Sequence, residues 1–213
     1  MRFPLRLLAG VLPILAAGAG FAEESALERG LAIASGGMMR AGAQACFTCH
    51  GLDGTGDAAA GVPRLNGLGA YYLAKQMRDF AAGTRPHAVM SPIAKALAPQ
   101  DILAVAAYYA ALDTTTDGRA GAPPSVYSRG DPARGIEACR TCHGRGGFST
   151  IPAIPTLAGQ HAGYVAGQLM LWRRGARGND PLDAMSRYAK ALTPPEIAEV
   201  ARWLASRGAG ERS

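Results

Sequence analysis

The chain has 213 residues, with 22 basic and 16 acidic side chains, 48% hydrophobic residues, 28 Gly and 14 Pro, which excludes a collagen-like or compositionally disordered polypeptide. The length admits one domain or two small ones, and four Cys are too few for a miniature fold stapled by disulfides. With aromatic residues at 7%, two small domains would have thin apolar cores, so a bound group is expected to complete them.

Residues 1–22 read as a secretory signal. Arg2 and Arg6 make a basic start, and Leu7 to Ala19 is an apolar run broken only by Gly10, Pro13 and Gly18. Gly20-Phe21-Ala22 then places small residues at the cleavage positions, so cleavage is expected after Ala22 and a periplasmic location follows. The run is shorter than the roughly 20 residues of a spanning helix, which leaves a retained anchor as the lesser reading, and at most peripheral membrane association is expected.

A helix is expected at about 25–34, followed by Cys46-Phe47-Thr48-Cys49-His50-Gly51 and, after Pro63, a second helix at about 70–82. Arg85, His87 and Met90 come next, and Ala98 precedes a helix with Ile102, Val105, Ala106 and Tyr109 on its apolar stripe. Residues 113–128 are polar and rich in breakers, and read as a linker between domains at 23–112 and 129–213. The second half carries an expected helix at about 132–142, then Cys139-Arg140-Thr141-Cys142-His143-Gly144, Pro155, a helix at about 162–174, Arg177 and Met185. Thr193-Pro194-Pro195-Glu196 combines an N-cap Thr, Pro at the first helical position and Glu three residues after the cap, and starts the closing helix. No alternating strand pattern of useful length is present, so the fold class is mainly α with long irregular loops.

The two halves are a tandem duplication. The Cys-x-x-Cys-His runs are offset by 93 residues; Pro63 and Pro155, Tyr72 and Tyr164, Gln76 and Gln168, and Arg85 and Arg177 by 92. Met90 and Met185, with the Ala-Lys-Ala-Leu segments behind them, are offset by 95.

Cysteines three apart on a helical turn point to one side, where both thiols can add to the vinyl groups along one edge of a haem, and the following His lies over the porphyrin to ligate iron. Two disulfides, a four-Cys zinc site and a thioredoxin-like redox motif are the competing readings. Zinc pairs normally lie closer together, and the redox motif needs a βαβ context that is absent. A His directly after both pairs, in a chain with only four His, favours two covalently attached haem c groups held by Cys46, Cys49, Cys139 and Cys142, with His50 and His143 on the iron. Met90 and Met185 are the expected second axial ligands: they recur in Pro- and Gly-containing loops, whereas Met38, Met39, Met77 and Met170 have no Met counterpart. His87, three residues before Met90, is the competing ligand for the first iron.

Both haem-binding runs, the Leu157-Ala158-Gly159-Gln160-His161-Ala162-Gly163-Tyr164 segment, Ala82-Gly83-Thr84-Arg85 before Met90, and the Asp101-Ile102 and Glu196-Ile197 helix starts resemble the dihaem cytochromes of the c4 type. The resemblance implies two tandem class I cytochrome c domains, each wrapped around its haem, related by a pseudo-twofold axis with propionate edges facing each other. It implies an electron carrier and not an enzyme, passing electrons from a quinol-oxidising complex toward a terminal oxidase or reductase. The alternative is the dihaem subunit of a periplasmic dehydrogenase complex such as flavocytochrome c sulfide dehydrogenase. The partners are then redox proteins, with membrane respiratory complexes among them, and not nucleic acid. It also implies that Pro63 and Pro155 hold the ligating imidazoles; Arg85 and Arg177 are candidates for propionate pairing, and Tyr72 and Tyr164 for packing on haem. The first half has Gly67-Leu68-Gly69 where the second has Gly159-Gln160-His161.

Charge is uneven: residues 23–116 hold seven basic and eight acidic side chains, residues 125–213 twelve and seven. Arg173, Arg174 and Arg177 form the densest basic cluster, expected to steer an acidic partner to the C-terminal half.

Overall fold

The computed structural model describes residues 17–37, 44–114, 118 and 121–208. Residues 1–16 of the expected signal and residues 115–117, 119 and 120 of the expected linker lie outside the described residues. Among the described residues there are helices and no strands; only the isolated bridges Asp57–Val62 and Asp131–Ile136 pair extended backbone. No described helix is long and apolar enough to cross a membrane.

Helix α1 (Ala17–Ala34) starts before the expected 25 and runs unbroken past Ala22. α2 (Phe47–His50) is the first Cys-x-x-Cys-His turn, followed by α3 (Ala70–Ala82), α4 (Met90–Lys95) and α5 (Pro99–Ala111). α1 crosses α5 at Gly30, where a Cβ would collide with the carbonyl oxygen of Ala104. Ile33, Leu73, Ile102, Val105 and Tyr109 are buried together where α1, α3 and α5 meet.

The second half repeats the plan with a shorter lead-in: α6 (Ser125–Ser128), α7 (Arg140–His143), α8 (Ala162–Arg173), α9 (Ala184–Ala191) and α10 (Pro194–Ala205). Its separate core joins Val126, Tyr127, Ile136, Val165, Leu169, Ile197, Val200 and Leu204, so α6, inside the expected linker, packs with the second half. The expected helix at 132–142 does not form. Asp131 caps a single 3-10 turn, Pro132–Arg134, and Gly135 at φ +68° ends it in a left-handed conformation that favours glycine.

The helix pair 70–82 and 162–174 agrees with α3 and α8 to within a residue. Met90 and Met185 lie not in loops but in the first turns of α4 and α9. Side chains upstream start both helices: His87 Nδ1 accepts the N–H groups of Val89 and Met90, each at 3.2 Å, and the Asp180 carboxylate accepts Ser186 N–H at 2.9 Å and its hydroxyl at 3.0 Å.

The α10 capping box is complete, with Glu196 N–H donating to Thr193 Oγ1 at 3.4 Å and Thr193 N–H to Glu196 Oε2 at 2.8 Å. Both Arg134 guanidinium ends reach Glu196, and with the cap they hold its carboxyl down to about 2. A carboxyl depressed in the folded state adds stability that is present above its ordinary value of 4.5 and is lost as pH falls toward 2. Melting of the C-terminal half is therefore expected to steepen in its pH dependence below about 4.5 in the wild type and to flatten in Glu196→Gln, read by circular dichroism. Thr193→Ala is expected to cost about 1 kcal/mol at neutral pH.

Candidate functional site

α2 and α7 are single turns closed by His50 N–H to Cys46 O and His143 N–H to Cys139 O, both at 2.9 Å. Gly51 (φ +71°) and Gly144 (φ +80°) turn the chain away directly after each His, a conformation that any other residue resists. Both imidazoles are buried, and each is held by the proline carbonyl expected from the sequence: His50 Nδ1 to Pro63 O and His143 Nδ1 to Pro155 O, both 3.0 Å. Nδ1–H thus donates to the carbonyl, leaving the Nε2 lone pair of each ring for a metal. Burial pushes both imidazoles below their ordinary value, toward the neutral form a metal requires.

Each Cys pair stays within its own half: Cys46 packs on the first core and Cys139 on the second. All four are half-buried thiols, none in a disulfide. Burial raises the Cys46 thiol and pushes Cys139 up to about 11. Thiols three apart beside a neutral imidazole with a free Nε2 fit covalent haem attachment, once in each half.

Two tyrosines, Tyr109 read from the sequence only as part of an apolar stripe and Tyr127 given no role, close the haem-binding turns. Tyr109 on α5 donates to Gly51 O at 3.0 Å, and Tyr127 on α6 donates to Gly144 O at 2.7 Å. They occupy unrelated positions in the repeat, so internal alignment carries no signal for the shared role. Burial raises both phenols well above their ordinary value, keeping them donors.

The halves meet across a polar core with pseudo-twofold pairing. Arg85 donates to Gln76 Oε1 of its own half at 3.0 Å, then crosses to Tyr164 Oη and Gln168 Oε1, both 2.8 Å. Arg177 donates to Gln168 Oε1 of its own half at 2.6 Å, crosses to Gln76 Oε1 at 3.1 Å, and hydrogen-bonds Tyr72. Arg85 and Arg177 are 7% and 4% exposed, and their guanidiniums stack on Phe80 and Trp172. Burial lowers Arg177 from its ordinary value, and the neighbouring Arg85 charge lowers it further. Every side-chain acceptor these two guanidiniums bond among the described residues is uncharged, so the interface holds buried positive charge that suits an anion. Gln76 and Gln168 were legible as recurring residues but carried no assigned role.

The basic cluster expected to steer a partner is not one patch. Arg173 Nη1 donates to the carbonyls of Ala189 at 3.3 Å, Lys190 at 2.8 Å and Leu192, capping the end of α9, and Arg177 is buried between the halves. Of the three, Arg174 remains exposed. His161 sits at the N-cap of α8 with Nε2 2.9 Å from Thr55 O of the other half. His87 is on the surface, its Nδ1 is taken by the start of α4, and partial desolvation of the ring and the Arg85 charge lower its pKa.

Two haem-binding turns, each anchored on a separate helical core and each with its imidazole fixed by a proline carbonyl, define a pair of class I cytochrome c domains. The Cytochrome c family model matches residues 39–113. A thiosulfate dehydrogenase electron acceptor from Stutzerimonas stutzeri (strain A1501) is 43% identical over 176 residues, covering 79% of this chain and 82% of that one. Cytochrome c4 of Azotobacter vinelandii is 37% identical over 177 residues, covering 76% and 84%. The structure of a thiosulfate dehydrogenase (TsdBA) from Marichromatium purpuratum superposes with a TM-score of 0.78 at 40% identity; it covers 88% of this chain, which spans 41% of that longer one.

The chain belongs to the dihaem cytochrome c4 family. It is an electron carrier with redox-protein partners, and it carries two covalently bound haem c groups at its Cys-x-x-Cys-His turns.

Proposed function

We propose that this cytochrome is the periplasmic electron acceptor of a thiosulfate-oxidising dehydrogenase and passes the electrons to a respiratory oxidase or reductase. The observation that carries the reading is the similarity, over most of both chains, to the Stutzerimonas electron acceptor. The same fold recurring within a longer thiosulfate dehydrogenase supports it. This moves the donor from a quinol-oxidising complex toward a dedicated dehydrogenase, with a small sulfur oxyanion, not sulfide, as the reductant.

The haems supply reversible one-electron exchange between ferric and ferrous iron. The chain's residues hold and tune them. In this reading His50 and Met90 ligate the first iron and His143 and Met185 the second, with Pro63 and Pro155 orienting the imidazoles at the 3.0 Å contacts described above. Tyr72 and Tyr164 pack toward the haems, and Arg85 and Arg177 supply the positive charge that holds propionates between the halves. The domains are residues 23–112 and 129–213, with α6 attached to the second. The mature chain begins at Glu23.

Stopped-flow mixing of the ferric protein with thiosulfate and a catalytic amount of a thiosulfate dehydrogenase is expected to develop ferrous bands of both haems, faster than a quinol-oxidising complex does. No reduction by the dehydrogenase, with rapid reduction by the quinol-oxidising complex, would return the donor to the respiratory chain.

A further inference from the structure

A buried link between the halves that the haem assignments leave unused is made by the side-chain amide of Gln160. Gln160 Oε1 accepts the backbone N–H of Arg64 at 3.0 Å, and Gln160 Nε2 donates to the carbonyl of Arg64 at 2.9 Å. The residues are 5% and 6% exposed, so neither bond competes with water. Arg64 Nη1 reaches back to Gly159 O at 3.2 Å, and Gly159 N–H donates to Leu204 O of α10 at 2.9 Å, tying the clamp to the C-terminal core.

The Arg64 N–H belongs to the same planar peptide unit as the Pro63 carbonyl, whose oxygen accepts from His50 Nδ1 at 3.0 Å. The two bonds therefore sit at opposite ends of one amide dipole. An acceptor at the N–H end pushes electron density into the amide and strengthens the carbonyl as an acceptor, and a hydrogen-bond chain in a low-dielectric site is cooperative. It runs from Gln160 Oε1 through the 63–64 peptide to the His50 imidazole. A stronger acceptor at Nδ1–H makes the imidazole a better donor at Nε2 and stabilises the oxidised iron it ligates.

The link runs one way. Leu68 stands where Gln160 does in the repeat and has no polar atom to offer the corresponding Pro155–Thr156 peptide.

We infer that Gln160, in the C-terminal domain, is a positioning residue for the N-terminal haem, fixing and polarising the Pro63 carbonyl that holds His50. This rests on the reading of His50 as an iron ligand. Gln160 thereby makes the potential of the first haem depend on the docking of the second domain.

The test uses the intact two-haem protein. Gln160→Met keeps the volume and length of the side chain and removes both amide bonds to Arg64, together with the bond Gln160 Oε1 accepts from His161 N–H, while His161→Leu removes the contact of His161 Nε2 with Thr55 O elsewhere in the same interface. Redox titration is expected to show the first midpoint rising in Gln160→Met with the second unmoved, and neither moving in His161→Leu. In the ferrous protein the His50 Nδ1–H is expected to exchange with solvent faster in Gln160→Met alone, and the Arg64 amide to exchange slowly in the wild type. Rapid exchange of the wild-type Arg64 amide, unchanged midpoints in Gln160→Met, or an equal shift in His161→Leu would each overturn the clamp. A wild-type spectrum lacking a His-ligated low-spin first haem would instead remove the ligand reading.

Discussion

Replacing Met90 with His lowers the midpoint potential of the first haem by roughly a tenth to a few tenths of a volt, within the ~0.8 V range that axial ligands span, and leaves the second nearly unchanged. A thioether is a soft, weak donor that favours ferrous iron, whereas a second imidazole favours the ferric state. The backbone at position 90 tolerates the exchange, because the start of α4 is held by His87 Nδ1 at the N–H groups of Val89 and Met90 and does not depend on the Met side chain. Spectroelectrochemical titration reads the shift, and the near-infrared band of Met-ligated ferric haem should fall to half its intensity. The same band in Met90→Ala separates the two candidate ligands. If it survives at full intensity, the first iron is not bound by Met90; if it halves in Met90→Ala and is intact in His87→Ala, His87 serves only to start the helix.

Replacing Cys139 and Cys142 together with Ser removes one of the two haems and unfolds most of the C-terminal half. Ser is close to Cys in size, so the change deletes the thioethers with little steric disturbance. The second core consists of short apolar side chains around Tyr127, Trp203 and Leu204, with Cys139 packed at its edge. A domain this small keeps only about 5–15 kcal/mol of net stability even when complete. Loss of a large apolar group at the centre of its fold exceeds what remains. The mass of the purified variant should be lower by one haem, its helical signal reduced, and one reducible haem should remain. A variant that keeps two haems after acid–acetone extraction would show that attachment does not run through these cysteines. The mirror change at Cys46 and Cys49 is expected to spare the second haem.

The sequence alone determined whatever depends on neighbours along the chain. The Cys-x-x-Cys-His turns, the helices at 70–82 and 162–173, the capping box at Thr193–Glu196 and the start of α5 at Pro99 all follow from spacing, capping chemistry and helical periodicity. Internal duplication added the pairing of Pro63 with Pro155, because a repeated residue in a variable loop marks a repeated contact, and both proline carbonyls meet their His at 3.0 Å. A few local contacts ran against the pattern, and tertiary structure decided the remainder. Gly135 in a left-handed conformation stopped a helix that composition favoured at 132–142, and the contacts of His87 and Asp180 started helices at Met90 and Ala184 where Pro and Gly suggested loops. Tyr109 and Tyr127 reach the same backbone position of the two turns from different helices, a convergence visible only in space. Arg173 and Arg177 read, with Arg174, as an exposed cluster that steers a partner, yet one caps α9 and the other is buried against Gln76 and Gln168, between the halves where its second reading as a propionate partner would put it. These pairings join residues as much as 101 positions apart, and no local pattern encodes which distant acceptor will satisfy a donor once the two halves have docked.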